Sequence, residues 1–232
     1  MKLRIKFAKY GSMKFIGHLD MMRFFQKAIR RAGIDIKYSE GFSPHQIMSF
    51  AAPLGVGIES TGEYMDIEVL SMTSTEDIKQ ALNEVMVDGV EVLSVSMLPD
   101  NAKNAMASVA AASYKIKMNE GNFPVEDLNE ALQRFFGQDK IPYTKETKKS
   151  VVGLDLKQGL YKIGVDEDNA ICMLVNASSS GNIKPGIVFE KFCEFTGIEV
   201  LQSLYQVTRL ETYTDLAKDG EEHQFVPLAS VR

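Results

Sequence analysis

A period-two alternation of apolar and polar residues, interrupted twice by a helical period, runs through the first 98 residues and leaves few folds open to them. Leu3, Ile5 and Phe7 fall on one face of an expected strand at residues 2–8, with Lys2, Arg4 and Lys6 on the other. Gly11-Ser12 punctuates, and His18 to Ala32 then reads as a helix that stops at Gly33. Met22, Phe25, Ile29 and Ala32 form its apolar stripe, while Arg23, Lys27, Arg30 and Arg31 lie together on the opposite side. A Gly-, Pro- and Ser-marked loop follows, then an apolar strand bounded by Pro53, and a further strand from Glu63 to Leu70. Thr75 to Met86 carries Ile78, Leu82, Val85 and Met86 at helical spacing with Ser74 or Thr75 as N-cap, and Val90 to Leu98 closes as a strand. This order, β-α-β-β-α-β, is the ferredoxin-like arrangement.

Pro99 to Ser108 is small and polar, a linker. The same order of elements then returns: a strand at Ser113–Met118, a helix at Val125–Phe136, and strands across Ile141–Leu156, Leu160–Val165 and Ala170–Val175. A helix at Gly186–Thr196 and a long strand at Val200–Tyr213 complete it. The expected fold is therefore α+β: two tandem ferredoxin-like (βαββαβ) domains at residues 1–100 and 110–215, the second with an extra strand. Residues 216–232, with Asp219-Gly220-Glu221-Glu222-His223, read as a tail that is frayed or bound to the surface.

Composition narrows the function classes. With 45% hydrophobic and 25% charged residues the chain has the balance of a folded globular protein. No run approaches 18 apolar residues, which excludes a membrane span, and the first residues lack the apolar core of a signal peptide, so a cytoplasmic location is expected. Two cysteines, Cys172 and Cys193, cannot supply the three thiolates of a radical S-adenosylmethionine cluster or the four ligands of a structural zinc site. Gly55-Val56-Gly57 has Ser60 where a dinucleotide fingerprint needs its third glycine, and no phosphate loop or nucleophile elbow is present. No metal site and no cofactor are expected in this chain.

Charge is the other signal. Residues 1–50 hold ten Lys/Arg against Asp20, Asp35 and Glu40, a surplus of seven in a chain whose net charge is −5, so the remainder carries −12. One face is expected to meet phosphate or an acidic partner. Tyr38, Phe42 and His45 in the loop offer rings on which unpaired bases stack. Lys148 and Lys149 with Lys145, then Lys184 and Arg209, form a second group of cations. His18, Asp20 and His45 are the candidates for acid–base chemistry if the chain is an enzyme, although the expectation is that it is not one.

Three motif groups carry a resemblance. The first is Gly17-His18-Leu19-Asp20, with Arg23 and Ala28-x-Arg30-Arg31-Ala32. The second is Tyr38-Ser39-x-Gly41-Phe42-Ser43-Pro44-His45 with Ser49-Phe50-Ala51-x-Pro53-Leu54-x-x-Gly57, and the third is Glu63-Tyr64-x-Asp66. Together they resemble the radical-SAM-linked protein family, a bacterial domain of unknown function found beside or fused to cobalamin-binding-type radical S-adenosylmethionine proteins. Gly17, Ser43 and Gln46 depart mildly from its pattern. The resemblance implies a radical S-adenosylmethionine protein as partner, which would carry the iron–sulfur cluster and S-adenosylmethionine. The expected role is an accessory that binds and presents RNA, tRNA or rRNA. The alternatives are an RNA-cleaving or RNA-modifying enzyme using His18 and His45, and a protein-only adaptor.

Overall fold

The computed structural model describes residues 1–146, 151–218 and 220–231. Its elements run β1 (Lys2–Lys9), α1 (His18–Arg31), β2 (Met48–Phe50), β3 (Glu59–Glu68), α2 (Thr75–Asn83), β4 (Val90–Leu98) and a single turn α3 (Ala105–Ser108). They continue with β5 (Ala111–Met118), α4 (Leu128–Phe136), β6 (Pro142–Glu146), β7 (Val151–Asp155), β8 (Leu160–Val165) and β9 (Ile171–Asn176). Last come α5 (Pro185–Thr196), β10 (Tyr205–Asp215) and β11 (Phe225–Pro227). Among the described residues this is an α+β protein with antiparallel sheet pairing and five α-helices. No helix among them is long and apolar enough to cross a membrane.

The chain divides into two compact units, one of Met1–Ala110 with Arg209–Arg232, the other of Ala111–Thr208. In the first unit β1 lies between β3 and β4, antiparallel to both, and β2 pairs antiparallel with β3. Leu3, Ile5 and Phe7 of β1 form a core with Met21, Phe25 and Ile29 of α1 and Ile78 and Leu82 of α2. Phe7, Phe25 and Phe50 meet edge to face. The helix α1 turns Met21 and Ala28 inward alongside Phe25 and Ile29, leaving Met22 and Ala32 half-buried. Ser74 is the cap of α2, its hydroxyl accepting from the Asp77 N–H.

The other face of β1 is covered as well, so Arg4 is as buried as its apolar neighbours. Its guanidinium forks onto Asp66 at 2.8 and 3.0 Å and donates to the Leu228 and Lys103 carbonyls, while Asp66 also accepts the Ala105 N–H. That places the segment expected to be a frayed or surface-bound tail. β11 pairs with β10 and Leu228 is fully buried. The cause is tertiary: the apolar run Phe225–Leu228 pairs with β10, and the Leu228 carbonyl meets a donor from β1, both far away in sequence.

In the second unit β9 lies between β5 and β8, antiparallel to both. Tyr114, Ile116, Met173 and Val175 pack with Leu132 and Phe135 of α4 and Phe189 and Phe192 of α5. The additional chain after α4 forms its own two-stranded sheet, β6 with β7. Several boundaries move from their expected positions: β3 opens at Glu59 instead of Glu63 and α2 ends at Asn83 instead of Met86. Asp127 caps α4 by accepting the Glu130 N–H, so the helix opens at Leu128 and not at Val125. The last strand begins at Tyr205, after a 3-10 turn at Gln202–Leu204, instead of at Val200.

Candidate functional site

Four of the ten cations in the first fifty residues are paired with acids from later in the chain. Arg4 pairs with Asp66, Lys6 with Glu211, Lys14 with Glu59 and Lys37 with Glu68. Lys9 is buried and donates to the Ile16 carbonyl at 2.6 Å. Burial pulls its ammonium below the ordinary lysine range, opposed by the nearby Glu63 charge. The surplus along the sequence is thus not the surplus on the surface. What stays exposed together is the polar side of α1: Arg23, Lys27, Arg30 and Arg31.

These four differ. Arg23 pairs with Asp20 one turn earlier at 3.1 Å, both side chains largely in solvent, an arrangement worth little. Lys27 is exposed without an ion pair among the described residues. Arg30 donates from Nε to the Gln26 carbonyl at 3.3 Å, and Arg31 donates to the Val85 carbonyl at 3.2 Å. At 100° per residue Arg23, Lys27 and Arg30 share one stripe ~10 Å long, and Arg31 leans off it toward the end of α2.

The loop after α1 rises beside that stripe. A bridge between Tyr38 and Gln46 forms its stem, and the Ser39 N–H donates to the His45 carbonyl at 2.8 Å. The Ser39 hydroxyl accepts the His45 N–H at 3.1 Å and meets His45 Nδ1 at 2.8 Å. Gly41, at φ +106°, turns the tip, and Phe42 next to it stands wholly in solvent. Tyr38 and His45 are exposed too. Gln46 is buried and donates from Nε2 to the Gln26 carbonyl at 3.2 Å, the same oxygen that holds Arg30. Its own Oε1 has no hydrogen-bond partner. Residue type alone gave no reason to single out Gln26 or Gln46.

The other expected site residues separate. His18 is half-buried, with its ring edge-on to Phe50 at 5.3 Å between centroids. Among the described residues no hydrogen bond, ion pair or ring contact joins His18, Asp20 and His45, and no group of three His, Cys, Asp or Glu is placed to hold a metal ion. Arg209 is a correction: it is buried, paired with Glu63 at 2.9 Å, and donates to the Ala52 and Pro53 carbonyls. An oppositely charged strand neighbour distant in sequence turned it inward, so it offers nothing to a ligand. Lys184 is exposed at the start of α5. Lys148 and Lys149 lie outside the described residues, and Lys145 sits in β6. Glu63 and Asp66 of the third motif are therefore ion-pair partners that hold the sheet, and the Ala52-Pro53 backbone of the second motif joins one of those pairs.

Both thiols are poor nucleophiles. Burial pushes Cys172 up to about 11, with the Asp166 carboxylate beside it adding to the effect, and burial with the Glu190 charge does the same to Cys193. The expected result is alkylation by iodoacetamide at neutral pH ~100-fold slower than for a small free thiol, restored on unfolding, as read by mass spectrometry. Cys193 lines a groove of about 660 Å³ along α5 with Glu190, Glu194 and Glu199, which repels phosphate.

No curated protein matches the chain. A solved structure described as a crystal structure of a Cbf5-Nop10-Gar1 complex contains a chain that is similar at 8% identity and a TM-score of 0.46, over 90% of this chain and 48% of that one. A chain of a heavy metal efflux pump is similar at 8% identity and a TM-score of 0.23, over 91% of this chain and 28% of that one. This protein thus spans about half or less of the length of the solved chains it matches. The family model described as an uncharacterized protein conserved in bacteria matches residues 2–185, so the chain belongs to that family, DUF2344.

Proposed function

We propose that this protein is a non-catalytic accessory to a radical S-adenosylmethionine enzyme and presents an RNA substrate, tRNA or rRNA, through the polar face of α1. The partner would carry the iron–sulfur cluster and S-adenosylmethionine, and both proteins would work in the cytoplasm. One observation carries the reading: while Arg4, Lys6, Lys14 and Lys37 pair with acids from later in the chain, Arg23, Lys27 and Arg30 stand exposed in a row beside a loop that holds aromatic rings in solvent. Supporting it are the motif groups shared with the radical-SAM-linked family. The order β4-β1-β3-β2 with α1 and α2 in the first unit, and the order β5-β9-β8 with α4 and α5 in the second, support tandem ferredoxin-like domains, the second enlarged by the β6–β7 hairpin.

Binding of a labelled RNA, followed by fluorescence anisotropy, tests the reading. Each phosphate contact on a single strand contributes about −0.7 to the slope of log affinity against log salt, so three contacts give about −2. The double variant Arg23→Glu/Arg30→Glu, folded as judged by circular dichroism, loses on the order of 100-fold in affinity and flattens that slope. A slope near zero for every RNA tried sinks the proposal. Nuclease-resistant recovery of the radical enzyme without RNA establishes an adaptor instead.

A further inference from the structure

We infer that the Ser39–His45 loop captures one unpaired nucleobase on the ring of Phe42, so that the ligand is single-stranded where it crosses α1. The inference rests on the RNA reading above and specifies what that face accepts.

Four observations converge on it. Phe42 is fully exposed, and its neighbours in the loop are Ser39, Glu40, Gly41, Ser43, Pro44 and His45. A ring that anchors a protein partner ordinarily stands within an apolar patch. With Tyr38 and His45 as the other exposed rings of this loop and no Leu, Ile, Val or Met between them, Phe42 suits a base, which has an aromatic face and a polar rim. The loop is also built to hold the ring out. Ser39 and His45 exchange backbone and side-chain hydrogen bonds across its neck, and Gly41 takes a backbone conformation that a side chain would strain.

Position is the third observation. The Gln26 carbonyl accepts from Gln46 Nε2 at the foot of the loop and from Arg30 Nε on the helix. One oxygen therefore locks the base-holding element to the phosphate-holding stripe, which fixes the distance between ring and cations. His45 uses Nδ1 toward Ser39, so Nε2 is the ring nitrogen left for a base edge or a phosphate. The fourth is Gln46 Oε1, buried in the joint between loop and helix with no donor. An orphaned acceptor of this kind marks a place where a donor belongs. An amino or hydroxyl group of a nucleotide, admitted by a small shift of the loop, supplies one.

Duplex RNA cannot satisfy this site, because its bases are stacked within the helix and present no free face to Phe42. Substitution by tryptophan provides a direct readout, since the chain contains no tryptophan. The test uses the full chain with a fluorescein-labelled 12-nucleotide RNA of mixed sequence, offered single-stranded or as a blunt duplex. The expected results are tighter binding of the single strand, a loss on the order of 10-fold for Phe42→Ala, and recovery in Phe42→Trp. Emission of Phe42→Trp should fall on addition of the single strand.

If Phe42→Ala binds like the parent, or the duplex competes as well as the single strand, the inference is overturned. The basic-face reading then survives through its Arg23 and Arg30 dependence. If neither probe binds at low salt, both readings fall. If Phe42→Ala retains RNA binding but loses the radical enzyme, Phe42 is a protein contact and the inference is overturned in favour of that role.

Discussion

Arg4→Met is expected to destabilise the first unit by about 3–5 kcal/mol, the cost of removing one partner from a buried ion pair. Arg4 is 1% exposed and its side chain meets Asp66 through two hydrogen bonds. Methionine fills much of the same volume, so the loss comes from the charge left behind. Asp66 keeps only the Ala105 N–H, and the Leu228 and Lys103 carbonyls lose the Arg4 donors. Urea unfolding followed by circular dichroism measures the change. The double variant Arg4→Met/Asp66→Leu should recover part of it, because no unpaired carboxylate remains, but not all, because the Ala105 N–H then lacks its acceptor. A change below about 1 kcal/mol in the single variant would mean that Asp66 is hydrated.

The same sheet tolerates no side chain at Gly62. A Cβ there would stand 2.5 Å from Glu211 Cα, 2.7 Å from the Leu210 carbonyl oxygen and 2.8 Å from Glu211 N. All three are backbone atoms of the neighbouring strand, which no rotamer change can move. Gly62→Ala should cost about 3 kcal/mol, the upper part of the range for overpacking, by prising β10 from β3. Gly186→Ala is the matched control. It lies in the first turn of α5 with nothing within 4 Å of its added methyl, and should leave stability unchanged or raise it by up to about 1 kcal/mol. Equal effects of the two substitutions would refute the close approach of the strands.

Elements whose cause is local could be read from the sequence. The strand Val90–Leu98 and the helix beginning at His18 follow from alternation and spacing alone, and both are found at those positions. So does the loop of Gly41, Pro44 and Phe42, because punctuating residues act on their own backbone. What could not be read depends on partners far along the chain. Arg209 looks like a surface cation until Glu63 stands beside it, and Leu228 looks like part of a tail until β10 and β1 are laid down. Net charge misleads for the same reason: a sum over residues 1–50 counts Arg4 and Lys9 as equals of Lys27, although two are buried and one is in water. Half of the proposed interface was therefore visible as residue types. Its joint, the Gln26 carbonyl shared by Gln46 and Arg30, was not, since backbone acceptors carry no sequence signature.

The division of the chain also has a consequence for synthesis. Residues 1–110 leave the ribosome first, yet their unit is complete only when the residues from Arg209 onward arrive. Unit two, closed by Thr208, lies wholly between and can reach its native core earlier. During that interval Glu63 has no Arg209, Tyr64 and Lys6 have no Glu211, and the β3 edge beside Gly62 is unpaired. The nascent chain thus carries an open strand edge and two uncompensated charges through the length of a whole second domain. The residues from Arg209 onward are therefore the gate to a stable first unit.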